Sequence, residues 1–594
     1  MELPDEVLEE PIRAARNANM LPTPEVVSKL LQDRVQKERF LNDVLEPEVA
    51  RAHREGYLHI HDLDYALTRS NCCQHDCRWV LRHGLYARSP IGRLTCVSKP
   101  AKHAEVAVLH ILKWLMTSQN FFAGGQGQDF VNFLVAPYIA EEGLSYEEVK
   151  QLAQIMMFEA TQDLVARGGQ PAFTNVNLEL TCPEFLEDEP AIGPRGRVVG
   201  TYGDFEEEAL MFARALLEVQ LEGDAAGAPL KFPQLIVKVR PGYDEETLEL
   251  AFRVAAENGA VYFANLLNPR WRRIVGENVN YMGCRTCLAT NWTGEWDVDT
   301  IRTGNFEYVT LNLPLIAHEA GDEDAFLERL REYCELARRA LLARWRCVKR
   351  CLEAGLYDGC QNWRPNGEGE PYFRYEHTTW SLGFVGLAEA IEVLTGTHFW
   401  EDRSALRLAL RIVECLNEIR EEFHERDGRR WSVVQSPAES AAERLARAYL
   451  RKFGDEAVVR GTRERPYLTN SCHVPYDVEL DVVDRVELEA RFHPLTLGGH
   501  IAHIWLGERV NFPETLAKFG VRLMRKNTVG FLAFTRDYSV CDRCQRTYEG
   551  VVERCPECGA RTTVWSRVTG YLAPVDSFVD GKKQEHRERY RHFL

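Results

Sequence analysis

Apolar residues recur at three- and four-residue spacing over 104–118, 143–168, 206–222 and 245–259, and this spacing predicts helices. The longest predicted helix covers 322–354. There Phe326, Leu330, Cys334, Ala337, Leu341, Trp345, Val348 and Leu352 form one stripe, and Gly355 stands where a helix C-cap belongs. Residues 400–424 and 436–453 carry the same helical pattern. Between these segments the period drops to two. In 173–181 Val176, Leu178 and Leu180 alternate with Asn175, Asn177 and Glu179. In 308–316 Val309, Leu311, Leu313 and Leu315 alternate with Tyr308, Thr310, Asn312 and Pro314, and in 57–62 Leu58 and Ile60 alternate with His59 and His61. Strands separated by long helices predict an α/β architecture. An apolar strand face suits a helix layer, and the amide-rich opposite face suits a sheet curved around a polar lumen. Residues 541–594 break the pattern, being cysteine-rich and then basic, and are expected to form a small C-terminal module.

Composition narrows the class. The chain has 594 residues, 45% hydrophobic and 27% charged, which are ordinary globular values and exclude disordered and fibrous classes. No run of 18 apolar residues occurs, and the acidic N-terminus lacks the apolar stretch of a signal peptide, so neither a membrane span nor secretion is expected. A net charge of −17 argues against a DNA partner held by bulk electrostatics. The 17 cysteines, an odd number scattered along a large chain, fit a reducing cytoplasm with mostly buried thiols rather than a disulfide framework. Cys334, Cys347 and Cys351 in the long helix are read as core thiols.

Two CxxC pairs, Cys541/Cys544 and Cys555/Cys558, are separated by ten residues. Each pair can present two thiolates from one tight turn, and four thiolates complete a tetrahedral shell, so a structural Zn²⁺ is expected. Gly559 suits the positive φ of such a knuckle. The alternatives are a redox-active CxxC, for which no βαβ context is present, and a nucleic-acid-binding ribbon, for which basic neighbours are few.

Ser566-Arg567-Val568-Thr569-Gly570-Tyr571-Leu572 follows the tetrad. It resembles the RVxGY motif of glycyl radical enzymes, whose Cα radical needs a planar centre that a side chain would hinder. Met282-Gly283-Cys284-Arg285 resembles the segment that carries the thiyl cysteine of class III (anaerobic) ribonucleotide reductases. Asn17-Ala18-Asn19, Ala52-His53, His59-Ile60-His61-Asp62, Asn71-Cys72, Gly124-Gly125-Gln126, Thr310–Pro314, Thr469-Asn470-Ser471 and Gly498-Gly499 follow that family's order. The resemblance spans roughly residues 15 to 575.

The resemblance implies a ten-stranded α/β barrel with a finger loop through its centre, Cys284 at the fingertip and the Gly570 loop entering beside it. The division implied is a reductase body at 1–535, a four-cysteine zinc module at 536–562, and a glycyl radical loop with tail at 563–594. The implied chemistry is reduction of ribonucleoside triphosphates to 2′-deoxyribonucleoside triphosphates. A separate radical S-adenosylmethionine activase with an iron–sulfur cluster makes the Gly570 radical. Gly570 takes hydrogen from Cys284, and the thiyl removes the 3′ hydrogen. Cys72 matches the second hydrogen donor, with Cys73 leaving a one-residue ambiguity, and Asn305 matches the asparagine that holds ribose hydroxyls or formate. His59, His61 and Asp62 are read as lining the substrate site, with metal binding by the two histidines as the alternative, and Ser471 as a substrate contact.

Formate is the expected reductant, a thioredoxin- or glutaredoxin-like protein the alternative. A homodimer with a deoxynucleotide effector site is implied, but its residues are not placed. The basic run of an ATP-cone is not seen, which sets the implied chain apart from many relatives. Competing readings are another glycyl radical lyase or dehydratase, whose thiyl segments differ from Met-Gly-Cys-Arg, and a zinc-ribbon binding protein, which leaves Gly570 and Cys284 unexplained.

Overall fold

The computed structural model describes residues 23–593 apart from 86–87, 90–91, 94–95, 165–168, 284, 362–369, 508–509 and 511. Ten strands form the framework: β1 Cys73–His75, β2 Gln126–Gln128, β3 Thr174–Glu179, β4 Gln234–Val239, β5 Val261–Asn265, β6 Asn305–Asn312, β7 Thr379–Val385, β8 Arg430–Gln435, β9 Ala502–Trp505 and β10 Phe531–Thr535. Strands β1 to β5 run parallel in sequence order. Strands β6, β7 and β8 are parallel to one another, as are β9 and β10. Strand β10 pairs antiparallel with β5.

Single bridges close the remaining gaps. Gln74 pairs antiparallel with Thr303 beside β6, and Val434 of β8 pairs parallel with Gly499 ahead of β9. The result is a ten-stranded barrel of two parallel halves that oppose each other, as the family resemblance implied. Leu58–Ile60 extends the sheet antiparallel on the C-terminal half of β6, while Asn71 and Cys72 donate their amides to Phe306 and Asn305 on its N-terminal half.

The helices cover the outside: α1 Ala104–Ser118, α2 Tyr146–Gln162, α3 Glu206–Glu222, α4 Glu245–Asn258, α5 Glu323–Glu353, α6 Arg403–Asp427 and α7 Ser440–Phe453. Each matches a helix predicted from periodicity, with ends shifted by up to four residues, except that α2 ends at Gln162 where the prediction ran to 168, the last four residues of which lie outside the described ones. Helix α5 starts where the Asp322 carboxylate caps the Ala325 amide at 3.0 Å, and it ends at Glu353, two residues before Gly355, whose φ of 76° turns the chain away. Phe326, Leu330, Cys334, Ala337, Leu341 and Val348 are buried on its inner stripe. Val176, Leu178 and Leu180 of the β3 segment lie in the same apolar layer. At about 25 cal/mol per Å² of apolar surface removed from water, this continuous layer is the main stabilising term.

One predicted strand needs correction. The alternation over 308–316 ends at Asn312, and Leu313–Ala320 is a helix with Pro314 in its first turn. Proline supplies a preset φ there and has no amide to lose, so period two and a helix start coincide by chance. Asn312 does not face the lumen: its carboxamide donates to the carbonyls of Gly56 at 2.8 Å and Leu445 at 3.2 Å.

A hairpin, Val279–Tyr281 with Cys287–Ala289, runs inside the barrel. Asn175 and Asn177 of β3 both donate to the Tyr281 carbonyl, at 3.3 and 3.1 Å. Tyr281 stacks on Phe531 of β10 and its hydroxyl meets His500 Nε2 at 2.7 Å. On the other side, Thr286 pairs with Gly499.

Past β10 the chain forms a four-stranded sheet of β11 Tyr538–Cys541, β12 Arg546–Glu549, β13 Thr563–Arg567 and β14 Leu572–Pro574, in the order β12-β11-β13-β14. Strand β13 pairs with β11, so this sheet runs across the boundary expected at 562/563. The turn that carries Gly570 joins β13 to β14.

Candidate active site

A cavity of about 260 Å³ lies where the hairpin tip, the β1 segment and the Gly570 turn converge. That is just below the usual range for small-molecule pockets, about 300–1,000 Å³. Its lining includes Cys72, Asn175 and Gln234 from the barrel and Met282, Gly283 and Thr286 from the hairpin. His61 and Asp62, Tyr308, Glu439 and Tyr571 complete its polar wall. Cys284 itself lies outside the described residues.

Cys72 and Cys73 separate by strand geometry. Successive side chains on an extended segment point to opposite faces. Cys72 therefore lines the cavity, while Cys73 joins the apolar layer beside His75. The Cys72 thiol donates to Asn71 Oδ1 at 2.9 Å and receives the Gly125 amide at 3.2 Å. Gly124 makes room for it, since a Cβ at that position would fall on Asn71 Oδ1 and Cys72 Sγ. The Asn71 amide nitrogen is held in turn by Glu307 at 2.8 Å and Asp62 at 3.3 Å. Glu307 pairs with the fully buried Arg344 at 2.6 Å, and burial pushes its carboxyl up against the pull of that guanidinium.

Three expected site residues stand back from this cavity. Asn305 is buried behind Cys72, joined to it by a backbone hydrogen bond of 3.1 Å, and its side chain is not part of the lining. His59 packs between His53 and His61, with ring centroids 5.6 and 4.5 Å away. Ser471 has its hydroxyl on the Phe384 carbonyl at 2.8 Å and φ of 42°, which makes it a backbone clip. His61 does reach the lining; its Nε2 meets Thr310 Oγ1 at 2.8 Å, and burial, with Arg444 and Arg344 nearby, pushes the imidazole down to about 3. It is a neutral hydrogen-bonding group there, which does not suit a general acid.

The Gly570 turn is buried and held on all sides. The Thr569 carbonyl accepts from Arg285 Nη2 at 3.2 Å and His503 Nε2 at 2.7 Å, and the Gly570 carbonyl from Gln234 Nε2 at 3.3 Å. Gln234 also touches the hairpin tip: a Cβ on Gly283 would fall on its carboxamide. One side chain thus contacts both the segment next to Cys284 and Gly570. Arg285 has φ of 84°, a conformation L residues rarely adopt, and the Met282 carbonyl holds its amide at 2.7 Å. Gln234 and Glu439 belong to no motif: Gln234 opens the segment 234–239 ahead of three apolar residues, and Glu439 falls inside 436–453, the segment predicted as helix, which begins one residue later at Ser440.

In the C-terminal sheet the sulfurs of Cys541, Cys544, Cys555 and Cys558 lie within 4.8 Å of one another, with Cys541 and Cys558 3.7 Å apart. Tetrahedral zinc with four sulfurs at 2.3 Å requires S···S separations of about 3.8 Å. The cluster therefore fits a zinc ion. No disulfide joins any two of the described cysteines.

The comparisons with known proteins agree with this geometry. The family model described as anaerobic ribonucleoside-triphosphate reductase matches residues 16–592. The anaerobic ribonucleoside-triphosphate reductase of Salmonella typhimurium is 27% identical over 98% of this chain and 83% of its own. The anaerobic ribonucleotide reductase of Thermotoga maritima, in complex with dATP and CTP, superposes with a TM-score of 0.71 at 19% identity, covering 95% of this chain and 91% of that one. Hydroxyproline dehydratase from Clostridioides difficile shares the fold at a TM-score of 0.58 and 10% identity, over 98% of this chain and 88% of its own. A barrel closed around an inserted hairpin, a cysteine facing the hairpin tip and a family match over nearly the whole length lead to one conclusion: the chain belongs to the anaerobic ribonucleoside-triphosphate reductase family of oxidoreductases.

Proposed function

We propose that the chain reduces ribonucleoside triphosphates to 2′-deoxyribonucleoside triphosphates by a radical passed from Gly570 to Cys284 and on to substrate in the cavity. The observation that carries this reading is the meeting of three segments at one cavity: Cys72, the hairpin tip around Gly283, and the Gly570 turn through Tyr571.

In the scheme, an activase splits S-adenosylmethionine with one electron from its iron–sulfur cluster, giving methionine and a deoxyadenosyl radical. That radical takes a hydrogen atom from Gly570 Cα and leaves as 5′-deoxyadenosine. The glycyl radical takes hydrogen from the Cys284 thiol, and the thiyl takes the ribose 3′ hydrogen. The 2′ hydroxyl then departs as water with a proton while the 3′ hydroxyl gives up its proton, and Cys72 gives a hydrogen atom to C2′, leaving a 3′ ketone. Formate restores hydrogen to the Cys72 thiyl. The resulting carbon dioxide radical anion and a proton reduce the ketone to the 3′ radical, and Cys284 returns the 3′ hydrogen. Formate balances the reaction: nucleotide, formate and a proton give deoxynucleotide, carbon dioxide and water. Support for formate over a dithiol relay is that, among the described cysteines, only Cys72 lines the cavity. The neutral His61 and the amide of Asn175 are placed to hydrogen-bond sugar hydroxyls without supplying an acid. Asn305 is assigned the role of fixing the Cys72 backbone, and His59 and Ser471 that of supporting the wall.

The four thiolates would hold a structural zinc ion, which ties β11 and β12 to the loop at 555–558 and so steadies the sheet from which the Gly570 turn projects. The dATP and CTP of the Thermotoga maritima structure support nucleoside triphosphates as substrates and deoxynucleotides as effectors here. A homodimer and a reducing, cytoplasmic setting complete the proposal.

The test is anaerobic electron paramagnetic resonance after treatment with a radical S-adenosylmethionine activase, S-adenosylmethionine and reductant. A doublet in the wild type that is absent from Gly570→Ala is expected, together with release of labelled carbon dioxide from labelled formate during turnover. A signal that survives in Gly570→Ala, or none with a competent activase, overturns the radical assignment. Turnover without labelled carbon dioxide overturns formate alone.

A further inference from the structure

The carboxylate of Glu439 closes over the Gly570 turn. Its two oxygens take different donors: the Thr569 hydroxyl at 2.9 Å on Oε1 and the Tyr571 hydroxyl at 3.0 Å on Oε2. These are the side chains immediately before and after Gly570, so one carboxylate spans the glycine. Glu439 stands between β8 and α7, and the two bonds therefore join the turn to the barrel wall. Burial raises the Glu439 carboxyl, while the two hydroxyl donors and the nearby Lys582 and Arg285 favour its ionised form; hydrogen bonds to an ionised acceptor are the strong ones.

Apolar support for the turn is slight by comparison. Val568, Ala573 and Phe578, with Tyr571 and Val575 against them, form a cluster separate from the main core. Ala260, Tyr538 and Leu572 form another. Polar contacts, rather than a large buried area, hold this part of the molecule in place.

We infer that Glu439 is a positioning residue whose carboxylate clasps Thr569 and Tyr571 and sets how long the Gly570 turn stays inside the barrel. The inference rests on the reading of Gly570 as the radical site. A hydrogen that an external activase removes, and that a buried thiol later replaces, requires the turn to be reachable in one state and seated in another. A contact made by one carboxylate in the seated state alone biases that equilibrium directly.

The full-length wild type, Glu439→Ala and Glu439→Gln are compared in two measurements. Hydrogen–deuterium exchange without activase reads the turn itself. Glu439→Ala is expected to raise exchange of 566–574 about tenfold, as loss of a charge-assisted bond would, and to leave β3 and β4 unchanged. Glu439→Gln falls between, because its carboxamide oxygen still accepts one hydroxyl. Electron paramagnetic resonance with activase then reads function: faster radical formation and lower turnover per radical in Glu439→Ala. Wild-type exchange in 566–574 of Glu439→Ala, or unchanged turnover per radical, overturns the clasp. If the wild type forms no Gly570 radical, the radical reading fails, and the exchange result still decides whether the clasp holds the turn.

Discussion

At the scale of single residues, the placement of Cys72 depends on what is absent beside it. Gly124 leaves the space its sulfur and the Asn71 carboxamide occupy. Gly124→Ala is expected to keep the fold and displace Cys72, lowering turnover by about 100-fold, the scale of an ångström-sized misplacement. Normal turnover with an unmoved sulfur in a crystal structure of the variant would count against this. The motif resemblance reached Cys72 as a type of residue in an order of segments. The alternation of faces along the strand is what separates it from Cys73. Asn305, His59 and Ser471 show the converse. Each matches a motif, yet none lines the cavity: His59 packs between two histidines, the Ser471 hydroxyl bonds the Phe384 carbonyl, and the Asn305 carboxamide oxygen is buried without a hydrogen-bond partner among the described residues.

Elements set the next scale. The Gly570 turn joins two strands of the sheet that also presents Cys541 and, through Tyr548, abuts Cys555. Cys555→Ser is therefore expected to lose one bound zinc per chain, measured by metal analysis, and to leave Gly570 poorly activated while the barrel unfolds at its usual temperature. Full radical yield in a zinc-free variant would dissociate the two. Strands β3 and β4 carry a buried ionic cluster, in which Lys238 meets Asp129 at 2.6 Å and Glu179 at 3.2 Å, and Arg240 meets Glu179 through both oxygens. Burial raises the Glu179 carboxyl, but Arg240 and Lys238 outweigh it and hold the group low. Removing this charge strands two buried cations, and Glu179→Gln should lose about 3–5 kcal/mol in urea unfolding. A change below about 1 kcal/mol would mean that Asp129 alone satisfies both.

For the whole molecule, pH offers a test. His75 and His500 are fully buried, and burial pushes each imidazole down to about 4. The Trp114 indole donates to His75 Nδ1 at 3.1 Å, which fixes the neutral tautomer with Nε2–H on Gln126. Between pH 6.5 and 4 the unfolded chain takes protons that these native histidines refuse. Stability should fall as pH drops through that window, by up to ~1.4 kcal/mol per pH unit for each group, and gain nothing from them above it. Urea midpoints at about pH 7.5 and 5.5, on either side of the ordinary histidine value, check this; an unchanged slope in His75→Gln would remove His75 from the account.

The sequence by itself determined the elements and the chemistry they carry. Helical stripes, alternating strand faces and the two CxxC pairs each follow from spacing along the chain, because local periodicity and ligand geometry act over a few residues, whereas Gly570 was marked only by its resemblance to a family motif. It also determined the family, through motifs kept in order over the chain's length. The tertiary structure decided which residues share a cavity. Barrel closure through Gln74 with Thr303 and Val434 with Gly499 rests on contacts between residues far apart in the chain, and spacing along a chain holds no record of such pairs. Gln234 and Glu439 became visible for the same reason. Their roles come from touching the Gly570 turn, and that contact exists only after the C-terminal sheet has docked on the barrel.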